Sequence, residues 1–290
     1  MFRTLKPFEY FEPETVKEAV DTAVKYGVEA KVYAAGVDLV PRMRKRQVTP
    51  KYIVNIQSIK ELAGIKEVAD GLSIGSLSSL RSIETSPLVR KKYMVLSEAI
   101  HSIASIQVKS HGTAVGNLCV GTPASDVAPA LIALDGRLKI VGRAGEKVVA
   151  VEDFYLGVGR TILEQGDIIT EILLPEPKPN TGGAFLKLVR TAADIAKVNV
   201  AVTVTMADGV CRDARVVIGS VAPTVLRMKK VEDILKGQRL SPEVIESAAQ
   251  AASEEVKPIT DLRSTAEYRK DTTRVLVRRA TEKAQEKAKA

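Results

Sequence analysis

In residues 15–27, TVKEAVDTAVKYG, apolar side chains recur at Val16, Ala19, Val20, Ala23 and Val24, which fall on one stripe of a 3.6-residue helix. Thr15 followed three residues later by Glu18 forms a capping box, and Gly27 stands where a C′ glycine ends such a stripe. The predicted helix packs on a sheet. Two short strands follow it, AKVYA (30–34) and YIVNI (52–56), each rich in β-branched or aromatic residues. Between them LVPRMRKR reads as a short helix that tolerates Pro41 in its first turn. Together they predict a β-α-β unit with AGVD at the strand-to-helix turn.

A second section follows. GIKEVADGLSIG alternates as a hairpin, with Asp70-Gly71 as its two-residue turn. Helices are predicted around SLRSIET and MVLSEAIHSIAS, then a strand over IQVKS, and a helix in ASDVAPALIALDG that stops at Gly136. RLKIVGRAGEKVVAV and DIITEILLPEP read as further strands, and PEPKPN, residues 175–180, is the strongest boundary signal in the chain. Beyond it GAFLKLV, NVAVTVTMADGVCRDARVVIG and VAPTVLR are strand-like, with a turn at Asp208-Gly209. Two long helices close the sequence. The first is capped by Ser241 with Pro242 at N1, and the second carries Tyr268, Thr272, Val275 and Arg279 on one face. The expected fold is α+β: a two-part N-terminal domain over residues 1–176, divided near residue 57, followed by an α+β C-terminal domain over 177–290.

Composition narrows the possible functions. No run of about eighteen apolar residues exists, and MFRTLKPFEYFEPET has neither the apolar core nor the cleavage site of a signal peptide, so a cytoplasmic protein without a transmembrane segment is expected. A net charge of +8 raises the question of nucleic acid, but basic and acidic residues are interleaved and aromatics are only 4%, too few for a stacking platform. Nucleic acid is therefore not expected as a partner. Cys119 and Cys211 match no ligand spacing and are expected to be buried small hydrophobes. With two histidines in the chain, no metal site and no catalytic side chain is expected; His111 reads as a loop residue.

Two glycine loops carry the remaining signal: YAAGVDL at 33–39 and HGTAVGN at 111–117. A glycine at such a turn supplies positive φ, or lets the backbone approach a ligand whose charge is met by N–H groups. Turn geometry is the commoner use, and either loop alone reads that way. The pairing shifts the reading. Each loop follows a predicted strand, contains a small-small-Gly element and ends in a polar residue, Asp38 or Asn117. Two such loops face to face would enclose a pyrophosphate with uncharged donors. Neither is G-x-G-x-x-G and neither contains G-K-[ST], which disfavours Rossmann and P-loop sites.

On these residues the chain resembles the FAD-binding medium subunit of the molybdenum hydroxylases, the family of aerobic carbon monoxide dehydrogenase, xanthine dehydrogenase, aldehyde oxidoreductases and 4-hydroxybenzoyl-CoA reductase. Its A-G-G-T-[DS]-L loop appears here as Ala34-Ala35-Gly36-Val37-Asp38-Leu39, and its T-I-G-G-N loop as Thr113-Ala114-Val115-Gly116-Asn117. The resemblance runs from FEYFEPETVKEAV through PASDVAPALIALDG and FLKLVRTAADIAKV to DLRSTAEYRK, almost the whole chain. Ala35 and Val115 stand where many relatives have glycine, and VKSHG replaces R-N-x-G, so a slightly shifted loop is expected.

The resemblance implies a PCMH-like, FAD-binding N-terminal domain. Val32, Tyr33, Ala34, Ala35, Gly36, Val37, Asp38 and Leu39, with Thr113, Ala114, Val115, Gly116 and Asn117, are implied to hold the pyrophosphate through backbone donors, Thr113 and Asn117 adding side-chain bonds. Asp126 is implied to accept from a ribityl or ribose hydroxyl; read from the residues alone it serves equally as the N-terminal charge of the next helix. Lys187 is implied to neutralise phosphate or lie beside the flavin; by itself it reads as an outward lysine on a strand. FAD is expected to be noncovalent, because the first loop has no histidine or cysteine for attachment.

A hetero-oligomer is also implied, with the molybdenum cofactor on a large partner subunit and [2Fe-2S] clusters on a small one. Cluster ligation needs grouped cysteines, and the two here are dispersed. The chain would pass electrons from those clusters to an external acceptor. Two other readings stay open: a self-contained FAD oxidoreductase, such as the reductases of cell-wall precursor synthesis, and a cofactor-free binding protein favoured only by the basic balance.

Overall fold

A computed structural model describes residues 4–288. The chain begins with β1 (Glu9–Phe11), α1 (Val16–Tyr26), β2 (Ala30–Tyr33), α2 (Leu39–Arg44) and β3 (Tyr52–Asn55). Strands β1 and β2 flank β3 and run parallel to it, so the predicted β-α-β unit is present with one strand added. The three residues of β1 are too few to show a period; pairing with β3, remote in sequence, makes them a strand. Thr15 caps α1 by accepting from the Glu18 N–H at 3.2 Å. The Glu18 carboxylate turns instead to the Glu14 N–H at 2.9 Å, so the box closes one residue early. Ala19, Val20 and Ala23 are buried with Val54 and Ile168, which places α1 across the first sheet and the next.

The second section holds β4 (Ile65–Val68), β5 (Gly71–Gly75), α3 (Leu80–Thr85), α4 (Pro87–Lys92), α5 (Met94–His101), α6 (Ile106–His111), α7 (Ala114–Cys119) and α8 (Val127–Ala133). It continues with β6 (Arg137–Gly142), β7 (Gly145–Ala150), the small hairpin β8 (Tyr155–Gly157) and β9 (Arg160–Thr161), and β10 (Ile168–Pro175). The antiparallel sheet has the order β4-β5-β10-β6-β7, with the late strand β10 at its centre. Val68 pairs with Gly71, so the hairpin turn is Ala69-Asp70, one residue before the predicted pair.

IQVKS is helical, contrary to the strand expected from its alternating Ile106 and Val108. The burial explains why. Ile106 is 53% exposed while Lys109 is 6% exposed, and Lys109 Nζ lies 3.0 Å from the buried Glu84 carboxylate. Ser105 caps the turn by accepting from the Val108 N–H. An ion pair to a residue distant in sequence thus decides which face of α6 turns inward, and local hydrophobic pattern does not.

The third section forms the sheet β11 (Thr181–Leu188), β12 (Val198–Ala207), β13 (Val210–Gly219) and β14 (Leu226–Arg227), followed by α9 (Lys229–Leu235), α10 (Pro242–Glu255) and α11 (Ala266–Ala288). Period-2 alternation along β12 assigns its two faces. Val198, Val200, Val202 and Val204 enter the core under α10 and α11. Ala201 joins the core of the second section, and the Thr203 hydroxyl donates to Ala133 O at the end of α8. VAPTVLR supplies only the two-residue β14, because Pro223 has no N–H for a ladder. On α11 Tyr268, Val275 and Arg279 of the predicted face are exposed and Thr272 is buried, while the inward face carries Thr273, Val277, Ala280 and Ala284. Among the described residues no helix is long and apolar enough to cross a membrane.

Candidate cofactor-binding site

The end of β2 opens directly into the first glycine loop. Gly36 has φ +69°, and a Cβ there would lie 2.5 Å from the Tyr33 ring and 2.9 Å from Val40 Cγ2. Only glycine suits both demands. Carbonyls of the loop start α2: Gly36 O accepts from the Val40 N–H at 3.0 Å, and Asp38 O from the Arg42 N–H at 3.2 Å. The N–H groups of Ala34, Ala35, Gly36, Val37 and Asp38 donate to no acceptor among the described residues. A row of unpaired backbone donors at a half-buried surface matches an oxygen-rich, anionic ligand.

The second loop joins two helices, α6 and α7, and not a strand and a helix. Thr113 is the N-cap of α7: its Oγ1 accepts from the Gly116 N–H at 2.9 Å, and its carbonyl from the Asn117 N–H at 3.1 Å. Engaging the oxygen this way leaves the Thr113 O–H as a donor. Gly116 is in the first turn of α7 without a positive φ, and a Cβ there would meet only Thr113 Oγ1, at 3.0 Å. Its remaining side is open. Asn117 Oδ1 accepts from Ser125 Oγ at 2.6 Å, which fixes the amide and presents its NH2 as the free end.

The two loops meet, as a Cβ on Gly112 would come within 3.7 Å of Val37 Cγ2. They share one wall of a cavity of about 470 Å³. Val32, Tyr33, Ala34, Ala35, Gly36, Val37, Asp38 and Leu39 line it, as do Thr113, Val115, Gly116 and Asn117. Ala114, Asp126 and Lys187 are not part of that wall. Val115 is 9% exposed and packs in the core with Leu118, so most of its side chain lies away from the cavity. Loss of solvent at the wall raises the Asp38 carboxyl above the usual carboxylate range, and Arg42 partly offsets this.

Asp126 and Lys187 form a buried pair at 2.7 Å. Asn199 lies opposite Lys187 in the β11–β12 register, and its Nδ2 donates to Asp126 Oδ1 at 2.7 Å and to Ser125 O at 3.0 Å. Lys187 also donates to Ser102 O at 3.1 Å. Burial pushes the Asp126 carboxyl up, against the pull of Lys187 and Asn199. The group therefore fastens the third sheet to the start of α8, and reaches the cavity through Ser125 and Asn117.

Sequence reasoning missed part of the wall. Residues 164–169, with Lys31, Arg42, Ser76 and Cys119, are among the others that line it. Gly166 has φ +91°, and a Cβ on it would strike Val24 of α1 at 2.4 Å, so the Glu-Gln-Gly-Asp turn before β10 was the available signal. Cys211 is buried as expected, but Cys119 is exposed at the end of α7. It opens to the cavity while protein surrounds its other sides, and that desolvation pushes its thiol up to about 12.

Residues 6–177 match the family described as FAD binding domain in molybdopterin dehydrogenase, and residues 183–284 match the CO dehydrogenase flavoprotein C-terminal domain. The chain belongs to this family of FAD-binding medium subunits. It is 32% identical to the carbon monoxide dehydrogenase medium chain of Afipia carboxidovorans, covering 97% of this chain and 98% of that one. The nicotine 6-hydroxylase medium subunit of Paenarthrobacter nicotinovorans is 30% identical, with 95% and 96% covered. A chain of Hydrogenophaga pseudoflava carbon monoxide dehydrogenase, in a form lacking the Mo-pyranopterin moiety, superposes with TM-score 0.96 at 33% identity over 98% of this chain and 99% of that one. The matched family is FAD-binding, and in this chain the two glycine loops line one cavity. Their unpaired neutral donors fit the phosphates and hydroxyls of a dinucleotide.

Proposed function

We propose that this chain carries noncovalent FAD as the electron-transfer subunit of a molybdenum hydroxylase, linking [2Fe-2S] clusters of a small subunit to an external acceptor. The large subunit of that assembly holds the molybdenum cofactor and the substrate. Relatives named for carbon monoxide and for nicotine have medium chains similar to this one, which supports placing substrate choice elsewhere. When bound, FAD supplies the exchange between two-electron and one-electron chemistry. The chain's own residues bind and orient it: the N–H row at 34–38 and the Thr113 and Asn117 side chains hold the diphosphate. Asp126 and Lys187 act in this reading by keeping Ser125, and so the Asn117 amide, in place. The domain division at 176/177 and the cytoplasmic location expected from the sequence belong to the same proposal.

The row of unpaired N–H groups beside a second donor loop on the wall of one cavity carries the reading. Titration of the purified chain with FAD tests it. Flavin fluorescence should be quenched on binding, and acid precipitation should release all the flavin. Flavin left in the pellet would contradict the noncovalent part, and failure to bind any would remove the proposal.

A further inference from the structure

Ser76 is 2% exposed and sits on the cavity wall, yet its Oγ has no hydrogen-bond partner among the described residues. Its neighbours in Ser76-Leu77-Ser78-Ser79 behave differently. Ser78 Oγ donates to Gly64 O at 2.9 Å, and Ser79 Oγ accepts from the Ser82 N–H at 3.0 Å as the cap of α3. Local turn chemistry therefore uses two of these hydroxyls and leaves the third. A hydroxyl taken out of water without a partner is unfavourable, and the cavity that Ser76 lines is the place where a ligand acceptor would relieve it.

The backbone fixes where that space is. Ser76 N donates to Thr170 O at 2.9 Å, at the point where β10 bulges between Ile169 and Glu171. Such bulges re-aim side chains, and Ile168 and Ile169 beside it also line the cavity. Further along, Ser79 bridges to Thr113, and Leu80 N donates to Gly112 O at 2.7 Å. Ser76 is thus held rigidly between the central strand of the second sheet and the second glycine loop.

We propose that Ser76 is a further cofactor-binding residue, whose hydroxyl donates to an acceptor oxygen of the bound dinucleotide. The proposal rests on the FAD reading above. Neither glycine motif contains Ser76, and the hairpin strand that precedes it gives no sign of a ligand.

FAD affinity and apo-protein melting, measured side by side, test it. Ser76→Ala should weaken FAD about tenfold, equivalent to about 1.4 kcal/mol, while the apo melting temperature stays equal or rises because the orphan group is gone. Ser76→Cys, which keeps a weak donor of similar volume, should fall between. Ser78→Ala should lower the apo melting temperature and leave FAD affinity within about twofold, since its partner is protein. A Ser76→Ala affinity equal to wild type, or a loss of affinity matched by a loss of apo stability, overturns the proposal. If wild type binds no FAD, the underlying reading fails and takes this inference with it.

Discussion

Gly36 and Gly116 stand in the same cavity for different physical reasons. Gly36 is required by its φ of +69° and by the Tyr33 ring beside it. Gly116 has no such backbone demand; its missing side chain leaves room beside Thr113. Gly116→Val should therefore separate binding from folding. Helix propensity gained over glycine offsets part of the strain at the Thr113 cap, so apo stability should change by no more than about 1 kcal/mol. FAD affinity should fall roughly 100-fold, about 2.7 kcal/mol, because a branched side chain fills the ligand space. Calorimetric melting beside fluorescence titration checks this; equal losses in both would mean the glycine serves only the turn. At this scale the sequence was most legible where chemistry is local. Both loops could be named, whereas Ser76 and residues 164–169 reach the cavity only through the pairing of β5 with β10.

Elements are held around those residues by pairings that periodicity does not show. Helix α6, which delivers the second loop, is anchored by Glu84 of α3. Burial works against the Glu84 charge, but Lys109, His101 and Arg81 outweigh it and hold the carboxyl at about 2, against an ordinary 4.5. The ionised group therefore stabilises the fold fully above 4.5, and that contribution is lost as pH falls from 4.5 toward 2. Its size is about 3 kcal/mol. Glu84→Gln should cost about that much at neutral pH, since it strands the buried Lys109, and should flatten the acid dependence between those values. Circular dichroism melts across pH 2–7 measure both. An unchanged acid profile would show that Glu84 is not the group responsible. The same ion pair explains why IQVKS misled as a strand, while α1, whose cap and stripe lie within its own residues, was read correctly. Strand β1 was invisible for the complementary reason, having only remote partners.

For the molecule as a whole, the alternation along β12 fixes the arrangement. Its valines bury under α10 and α11, and its small and polar residues close on α8, so the third sheet braces the loops of the second section through Asn199, Asp126 and Lys187. This α+β architecture followed from composition and order of elements; the buried polar seam between its parts did not, since Asp126 and Lys187 look like a helix-end charge and a surface lysine when read singly. The structure gives the chain a cavity and a brace around it, and the proposed assembly fills it with FAD and supplies the electrons. The decisive measurement follows the flavin absorbance of the FAD-loaded chain exposed to carbon monoxide, an aldehyde or a purine, alone and after adding its large and small partner subunits. The electron-transfer account predicts no bleaching of the isolated chain by any of them and bleaching by the assembly's own substrate once both partners are present. Bleaching of the chain by itself would contradict it and make this protein a complete flavoenzyme.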